Sequence, residues 1–228
     1  MKTRKQAEAY VKSINRKFQH ASLESFEWIF LNTVCSGLDH FPACQNILEI
    51  GSYKYCSSSS FLEAMHNTPE MRETKLTSVD PVHREWRFPD KDVDSRWKKI
   101  EQSSHEYLPT LIEEEEFDLI FVDGWHKPPI LFDDGRNARR LIRHNGLVVF
   151  HDTNSTKMRD RLATLSDLEL SEYNNIVYFD LSRRSGRFQA SNAGGFGIWS
   201  ADASTFEDVV KIGNQLNESC CEYRGVDK

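Results

Sequence analysis

Four short runs rich in apolar residues constrain the fold of this chain more than any other feature. They lie at Asn46–Ile50, Lys75–Val79, Phe117–Val122 and 146–150, and polar or amphipathic segments of helical length separate them. Strands that are buried on both faces belong to parallel sheets, because the helical crossovers between parallel strands cover both faces. The pattern therefore predicts an α/β fold with a doubly wound, mostly parallel sheet and helices on both faces.

The N-terminal part of the chain reads as a helical cap on this core. Phe26 and Ile29 begin a series of apolar residues at helical spacing, and Gly37 is typical of a residue that ends a helix. We therefore predict a single domain that consists of an N-terminal helical cap, residues 1–45, and an α/β core, residues 46–228.

The C-terminal part predicts an antiparallel addition to the sheet. Residues 175–181 and 195–201 read as two strands, and the polar turn 182–187 joins them as a hairpin. That turn contains three arginines, which either bind an acidic acceptor or only face solvent. A final helix is predicted at 204–216.

Charge and cysteine content argue against several functional classes. The formal net charge is −6, whereas a nucleic-acid surface needs clustered Lys and Arg. The five cysteines are odd in number and lack a C-x-x-C pair, so they indicate reduced thiols in a cytoplasmic protein rather than zinc ligands or disulfides. The longest apolar runs are far shorter than the roughly 20 residues of a membrane span, and residues 1–20 contain no apolar signal region.

Acidic residues stand at the ends of the four predicted strands. Glu49 lies near the end of the first strand, and Asp80, Asp123 and Asp152 follow the other three. In an open α/β sheet, ligands bind beyond the carboxyl ends of the strands, where strand order reverses. The first loop contains only one glycine, Gly51, which disfavours a dinucleotide pyrophosphate. An acidic rim instead suits a ligand with ribose hydroxyls and positive charge.

Four ordered motifs at these strand ends resemble those of a known family. They are Leu-Glu-Ile-Gly-Ser-Tyr at 48–53, Ser-Val-Asp-Pro at 78–81, Val-Asp-Gly-Trp-His at 122–126 and Phe-His-Asp-Thr at 150–153. In this order they are similar to the motifs of class I S-adenosylmethionine-dependent methyltransferases, in particular a small-molecule branch with D-G-x-H and H-D-T signatures. The resemblance covers about 46–153, and it implies a Rossmann-like fold with S-adenosylmethionine as the cofactor.

The resemblance also implies which residues bind that cofactor. The methionine end of the cofactor would be lined by residues in and near the first loop: Glu49, Gly51, Ser52 and Tyr53. Its ribose hydroxyls would be held by Asp80, after the second strand, and its adenine would lie near Ser103 and Ser104. Asp123 would lie beside the reacting methyl group.

The catalytic candidates are His126, Asp123 and His151. A histidine is the natural general base for the proton that the acceptor loses, although each imidazole equally suits a structural hydrogen bond. A second mechanism is metal-assisted, with Mg²⁺ or another divalent cation held by Asp123 and Asp152. Thr153 stands where the family would supply a further oxygen ligand, and Asn154 is one position later.

Tyr55 and Cys56 stand where relatives usually carry glycine, so their side chains would narrow the cofactor pocket. The primary expectation is a methyltransferase for a small-molecule O or N acceptor. The alternative is a non-catalytic binding or scaffold protein that retains the fold, and a nicotinamide oxidoreductase is a weaker third reading.

The expected partner is therefore a small molecule, not nucleic acid or membrane. In this architecture the acceptor surface is built from residues 1–40 and 154–192, where the sequence has the least readable chemistry. The N-terminal helices are able to pack across a second subunit, so a homo-oligomer stays open.

Overall fold

The computed structural model describes residues 25–82, 85–112, 116–168, 175–180 and 194–226 of the 228-residue chain. Its strands are β1 (Asn46–Ile50), β2 (Lys75–Val79), β3 (Trp97–Ile100), β4 (Phe117–Val122), β5 (Ile142–His151), β6 (Val177–Phe179) and β7 (Phe196–Trp199). Its α-helices are α1 (Ser25–Cys35), α2 (Cys56–Asn67), α3 (Lys91–Ser95), α4 (Ser104–Tyr107), α5 (Ile130–Leu141), α6 (Thr156–Leu168) and α7 (Ala203–Val226).

The strands form one sheet in the order β3-β2-β1-β4-β5-β7-β6. Strands β1 to β5 pair in parallel, whereas β7 is antiparallel to both β5 and β6. Strand order reverses between β1 and β4, which makes their carboxyl ends the switch point of the sheet. The predicted α/β fold with a mostly parallel sheet and an antiparallel C-terminal hairpin is therefore confirmed.

Three predicted strands match the structure residue for residue, because β1, β2 and β4 are short, buried and bounded by polar loops. Strand β5 begins at Ile142, four residues earlier than the predicted 146. Strand β3 was not predicted, since its sequence Trp-Lys-Lys-Ile buries only Trp97 and lies at the edge of the sheet. An edge strand with one buried side chain has too little apolar pattern to be recognised.

Helices cover both faces of the sheet and give it two hydrophobic cores. On one face, α1, α2 and α7 pack on side chains such as Ile47 and Leu119. On the other face, α5 and α6 pack on side chains such as Ile50 and Val122. The ends of the parallel strands thus open between two helical layers, as a crevice at the switch point requires.

Several sequence-based expectations lie outside the described residues. These are the first 24 residues of the helical cap and the arginine-containing turn at 182–187. Within the described part of the chain, no helix is long and apolar enough to cross a membrane.

Candidate active site

Gly51 places the loop after β1 directly against the loop after β4. Its φ of +88° lies in the left-handed region, and an added Cβ would come 2.2 Å from the carbonyl oxygen of Asp123. The amide of Gly51 donates to Val79, and the amide of Asp123 donates to Ile50. Backbone contact this close is possible only for glycine, so Gly51 fixes the floor of the crevice at the switch point.

Glu49 is fully buried and does not line an open rim. The hydroxyls of Ser57, Ser58 and Ser78 donate to its two carboxylate oxygens, at 2.5 Å from Ser57 and 2.6 Å from Ser58. Burial raises the pKa of Glu49 to about 7, although the three hydroxyls partly offset this effect. Glu49 therefore holds the start of α2 against β1 and β2, beneath the crevice.

Asp80 joins the loops that follow β1 and β2. Its carboxylate accepts hydrogen bonds from the amides of Tyr53, at 2.9 Å, and Val82, at 2.8 Å. Each carboxylate oxygen has a second lone pair, so these contacts leave room for ligand hydroxyls. Asp80 is only 8% exposed, at the rim where a ribose is expected.

The three candidate serines are in different situations. Ser52 is buried, and its hydroxyl has no hydrogen-bond partner among the described residues. Ser103 caps α4 by accepting the amide of Glu106 in a capping box. Ser104 is buried at the first position of α4. Of the three serines, Ser52 is therefore the one whose hydroxyl is best placed to form a hydrogen bond with a ligand.

The catalytic candidates come together at the carboxyl ends of β4 and β5. His151 Nδ1 lies 2.9 Å from Asp123 Oδ1. His126 Nε2 lies 3.5 Å from the same oxygen, and its Nδ1 lies 3.4 Å from Asp152 Oδ2. His126, Asp123, His151 and Asp152 therefore form one continuous chain of alternating imidazoles and carboxylates.

Glu27 of α1 extends this chain, and sequence reasoning misses it. Its Oε2 lies 3.4 Å from His151 Nε2, and its Oε1 accepts the amide of Gly195 at 2.6 Å. The amide of the preceding residue, Gly194, donates to the Asp152 carboxylate. Glu27 is completely buried. The sequence signal that could have identified it is an acidic residue within the largely apolar run of α1.

The pKa values of His151 and Asp123 are shifted by the charges around them. Burial alone would lower the pKa of His151, but Asp123 and Glu27 raise it well above its usual range. Burial alone would raise the pKa of Asp123, but His151 and His126 lower it below its usual range. The protonated form of His151 is therefore favoured, although only 1% of the residue is exposed.

The same cluster offers ligand atoms for a cation. One atom from each of Asp123, His126 and Asp152 lies within 4.8 Å of the others. The side-chain amide of Asn154 instead donates to Asp180 at 2.7 Å. Two carboxylates with one imidazole fit a divalent transition metal better than Mg²⁺, which prefers oxygen ligands only.

Tyr55 directs its ring into the protein core rather than leaving it exposed in the loop. The ring stacks on Trp86, with centroids 5.7 Å apart, and meets Trp97 edge-on at 5.1 Å. Its φ of 60° allows this direction. Both Tyr55 and Cys56 are buried, which explains how the loop accommodates them where relatives carry glycine.

Comparison with known proteins identifies a family model that matches the central part of the chain. A family model described as a methyltransferase domain matches residues 48–153. None of the curated proteins compared with the chain matches it.

Solved methyltransferase structures share the fold at low sequence identity. The S-adenosylhomocysteine-bound methyltransferase PaMTH1 of Podospora anserina is 15% identical, with a TM-score of 0.52 and coverage of 86% of this chain and 88% of that one. The O-methyltransferase TomG of Streptomyces achromogenes, in complex with S-adenosylmethionine, is 18% identical, with a TM-score of 0.54 and coverage of 85% and 88%.

CalS11, a TDP-rhamnose 3'-O-methyltransferase of calicheamicin biosynthesis, is 10% identical, with a TM-score of 0.55 and coverage of 88% and 96%. Identity this low shows likeness of fold alone. The match over 48–153, the sheet order and the four ordered motifs agree with one another. The chain therefore has a Rossmann-like fold of the kind seen in solved methyltransferases, and its residues 48–153 match a methyltransferase domain.

Proposed function

We propose that this protein transfers a methyl group from S-adenosylmethionine to an oxygen or nitrogen atom of a small-molecule acceptor. The observation that carries this proposal is the position of His126. Its imidazole lies between Asp123 and Asp152, at the carboxyl ends of β4 and β5, within a methyltransferase domain. A partly exposed imidazole next to the switch point is where an acceptor would need a base.

The loop after β1 and Asp80 provide the proposed cofactor contacts. Asp80 would accept the ribose hydroxyls through the lone pairs that Tyr53 and Val82 leave available. The unpartnered hydroxyl of Ser52 would bind the methionine end, beside Gly51. Glu49, beneath this loop, would support it rather than reach the cofactor itself.

Methyl transfer itself is an in-line displacement. A lone pair of the acceptor forms the new bond to the methyl carbon while the carbon–sulfur bond breaks, and S-adenosylhomocysteine leaves with the electron pair. The acceptor's proton passes to His126, whose side chain is 26% exposed. His151 is only 1% exposed, so it would position Asp123 rather than touch the acceptor.

A divalent cation fits the same cluster as an alternative means of activation. Asp123, His126 and Asp152 would hold it, and it would act as a Lewis acid that lowers the pKa of an acceptor hydroxyl. In that case His126 would be a ligand and not the base.

The solved structures with the same fold favour a small acceptor. TomG is an O-methyltransferase of tomaymycin synthesis, and CalS11 is a TDP-rhamnose 3'-O-methyltransferase. The negative net charge of the chain agrees with an acceptor other than nucleic acid.

Calorimetric titration with S-adenosylmethionine and S-adenosylhomocysteine tests the proposal. Both should bind the wild type, and Asp80→Asn should weaken both by about tenfold or more, because it loses charge-assisted hydrogen bonds. The exposed Asp92→Asn is the matched control and should bind like the wild type. The absence of binding by either compound at millimolar concentration would contradict the proposal. Tight binding without methyl transfer to any acceptor would instead favour a non-catalytic binding protein.

A further inference from the structure

A cavity of about 620 Å³ lies at the end of the sheet opposite the crevice. The first residues of adjacent strands line it, among them Asn46 of β1, Lys75 of β2 and Phe117 of β4. Strand β1 has five residues, and at about 3.3 Å per residue its two ends lie about 13 Å apart. The cavity is therefore separate from the candidate active site, and its volume is that of a small-molecule site.

The cavity exists because the helix that follows β3 is short. Helix α4 has four residues and continues into a single 3₁₀ turn at Leu108–Thr110. Four helical residues extend only about 6 Å along the helix axis, which is too short to cover neighbouring strands from end to end. Tyr107, the last residue of α4, therefore lines an open cavity instead of closing it.

The sheet face that forms the floor of this cavity is polar. Lys75 and Thr77 lie on the same face of β2, because alternate residues of a strand share a face. Strand pairing places Asn46 beside Lys75 and Lys98 beside Thr77. Two residues further along β2, Val79 belongs to the hydrophobic core. Polar side chains on three neighbouring strands thus face a common space.

Two ammonium groups at this floor are available to a ligand. In the part of the chain that the structure describes, neither Lys75 nor Lys98 forms an ion pair. Lys98 Nζ donates to the hydroxyl of Tyr107 at 3.3 Å. Since that hydroxyl accepts from the lysine, its own proton remains available for donation to an anion.

The other charged side chains that line the cavity are Arg143 and Glu116. Arg143 pairs with the buried carboxylate of Asp118, which also accepts the amides of Gln45 at 2.6 Å and Asn46 at 2.7 Å. Glu116 is exposed, so solvent screens its charge. Among the described lining residues, two unpaired lysines thus face one screened carboxylate, and the cavity favours an anion.

We propose that this cavity is a second ligand site, which binds a phosphorylated small molecule with its phosphate between Lys75 and Lys98. Lysine binds phosphate as a point charge, and the hydroxyls of Thr77 and Tyr107 would donate further hydrogen bonds. The ring of Phe117 would contact the organic part of the ligand. The inference goes beyond the proposed function and is independent of it, because it uses no residue of the crevice.

Calorimetry with phenyl phosphate and inorganic phosphate tests the site in the wild type. Phenyl phosphate should bind more tightly, because its ring adds apolar contact, and added NaCl should weaken both ligands. Excess S-adenosylhomocysteine should leave both affinities unchanged. The inference is wrong if neither anion binds at millimolar concentration, if the two bind equally, or if S-adenosylhomocysteine displaces them.

Variants assign the binding to these side chains. Lys75→Ala and Lys98→Ala should each weaken phenyl phosphate by about tenfold, and both lysines are exposed, so the fold should be unaffected. Glu116→Gln should tighten binding, because it removes a negative charge from the cavity. Lys211→Ala, at an exposed lysine of α7 on the opposite face of the sheet, is the matched control and should bind like the wild type. Wild-type affinity in both Lys75→Ala and Lys98→Ala would overturn the proposal.

Discussion

Glu27 Oε2 lies 3.4 Å from His151 Nε2, so an acidic side chain of the first described helix faces an imidazole at the end of the central strand β5. Both side chains are buried, and the charge of His151 is also matched by Asp123. Removing one partner of a buried ion pair leaves the other without compensation.

We therefore expect Glu27→Gln to lower the free energy of unfolding by about 3 to 5 kcal/mol. Urea unfolding at pH 7 measures this difference. The control is Asp92→Asn, which removes the exposed partner of the pair between Asp92 and Arg96, where little change is expected because solvent screens the Asp92 charge. If both variants have equally small effects, Glu27 and His151 are not a stabilising pair.

Glu49 should make stability depend on pH. Its pKa of about 7 in the folded protein is above the ordinary value of 4.5, so the folded state binds more protons than the unfolded state between these values. The free energy of unfolding should therefore fall as pH rises from 4.5 to 7, by about 3 kcal/mol, and then level off with respect to this group.

Urea unfolding between pH 5 and 8 checks this dependence. Glu49→Gln cannot ionise and should flatten the decrease, whereas the exposed Glu70→Gln should keep the wild-type slope. An unchanged slope in Glu49→Gln would show that another group dominates this pH range.

Tyr55 and Tyr53 provide a matched comparison within one loop. Both have positive φ, 60° and 33°, but Tyr55 is fully buried and Tyr53 is 50% exposed. Tyr55→Gly should lower the free energy of unfolding by about 3 kcal/mol or more, because the cavity between Trp86 and Trp97 outweighs the relief of backbone strain.

Thermal unfolding should show a clear loss for Tyr55→Gly and little change for Tyr53→Gly. If Tyr55→Gly were as stable as the wild type and bound S-adenosylmethionine more tightly, the tyrosine would be obstructing the pocket instead of filling the core.

The Asp123, His126 and Asp152 cluster should bind Mn²⁺ more tightly than Mg²⁺, because Mg²⁺ is a hard cation that takes oxygen ligands in near-ideal octahedral geometry, and one of the three ligands here is an imidazole nitrogen. Electron paramagnetic resonance of added Mn²⁺, with Mg²⁺ as competitor, measures the preference. His126→Gln should reduce it, and His105→Gln, at an exposed histidine that contacts Asp133, should leave it unchanged. If Mn²⁺ does not bind the wild type, His126 remains the proposed base.

Unlike the edge strand β3, strands β1, β2, β4 and most of β5 could be predicted, because each is buried and followed by a polar loop. Their ends also placed Asp123, His126, His151 and Asp152 together, since the carboxyl ends of adjacent parallel strands meet. Glu27 could not be predicted in this way, because it reaches the site through the packing of α1, which no local pattern records.

Asp134 and Asp133 illustrate the same limit. As sequence, both are charges near the start of a helix, where the helix dipole favours them. Only the packing of α5 shows that Asp133 pairs with His105 and Arg136 while Asp134 is buried beside Ser104. Burial and partners are properties of the folded chain, and neighbouring residues of the same type can differ completely in both.

The contact between Glu27 and Gly195 has a consequence for the boundaries of the part of the chain that forms the candidate site. Both residues lie outside 48–153, the stretch that is recognisable as a methyltransferase domain. A fragment cut to that stretch would keep the contact of His151 with Asp123 and lose its contact with Glu27. The smallest piece able to assemble the charged cluster therefore extends from α1 through β7, well beyond what family resemblance alone would delimit.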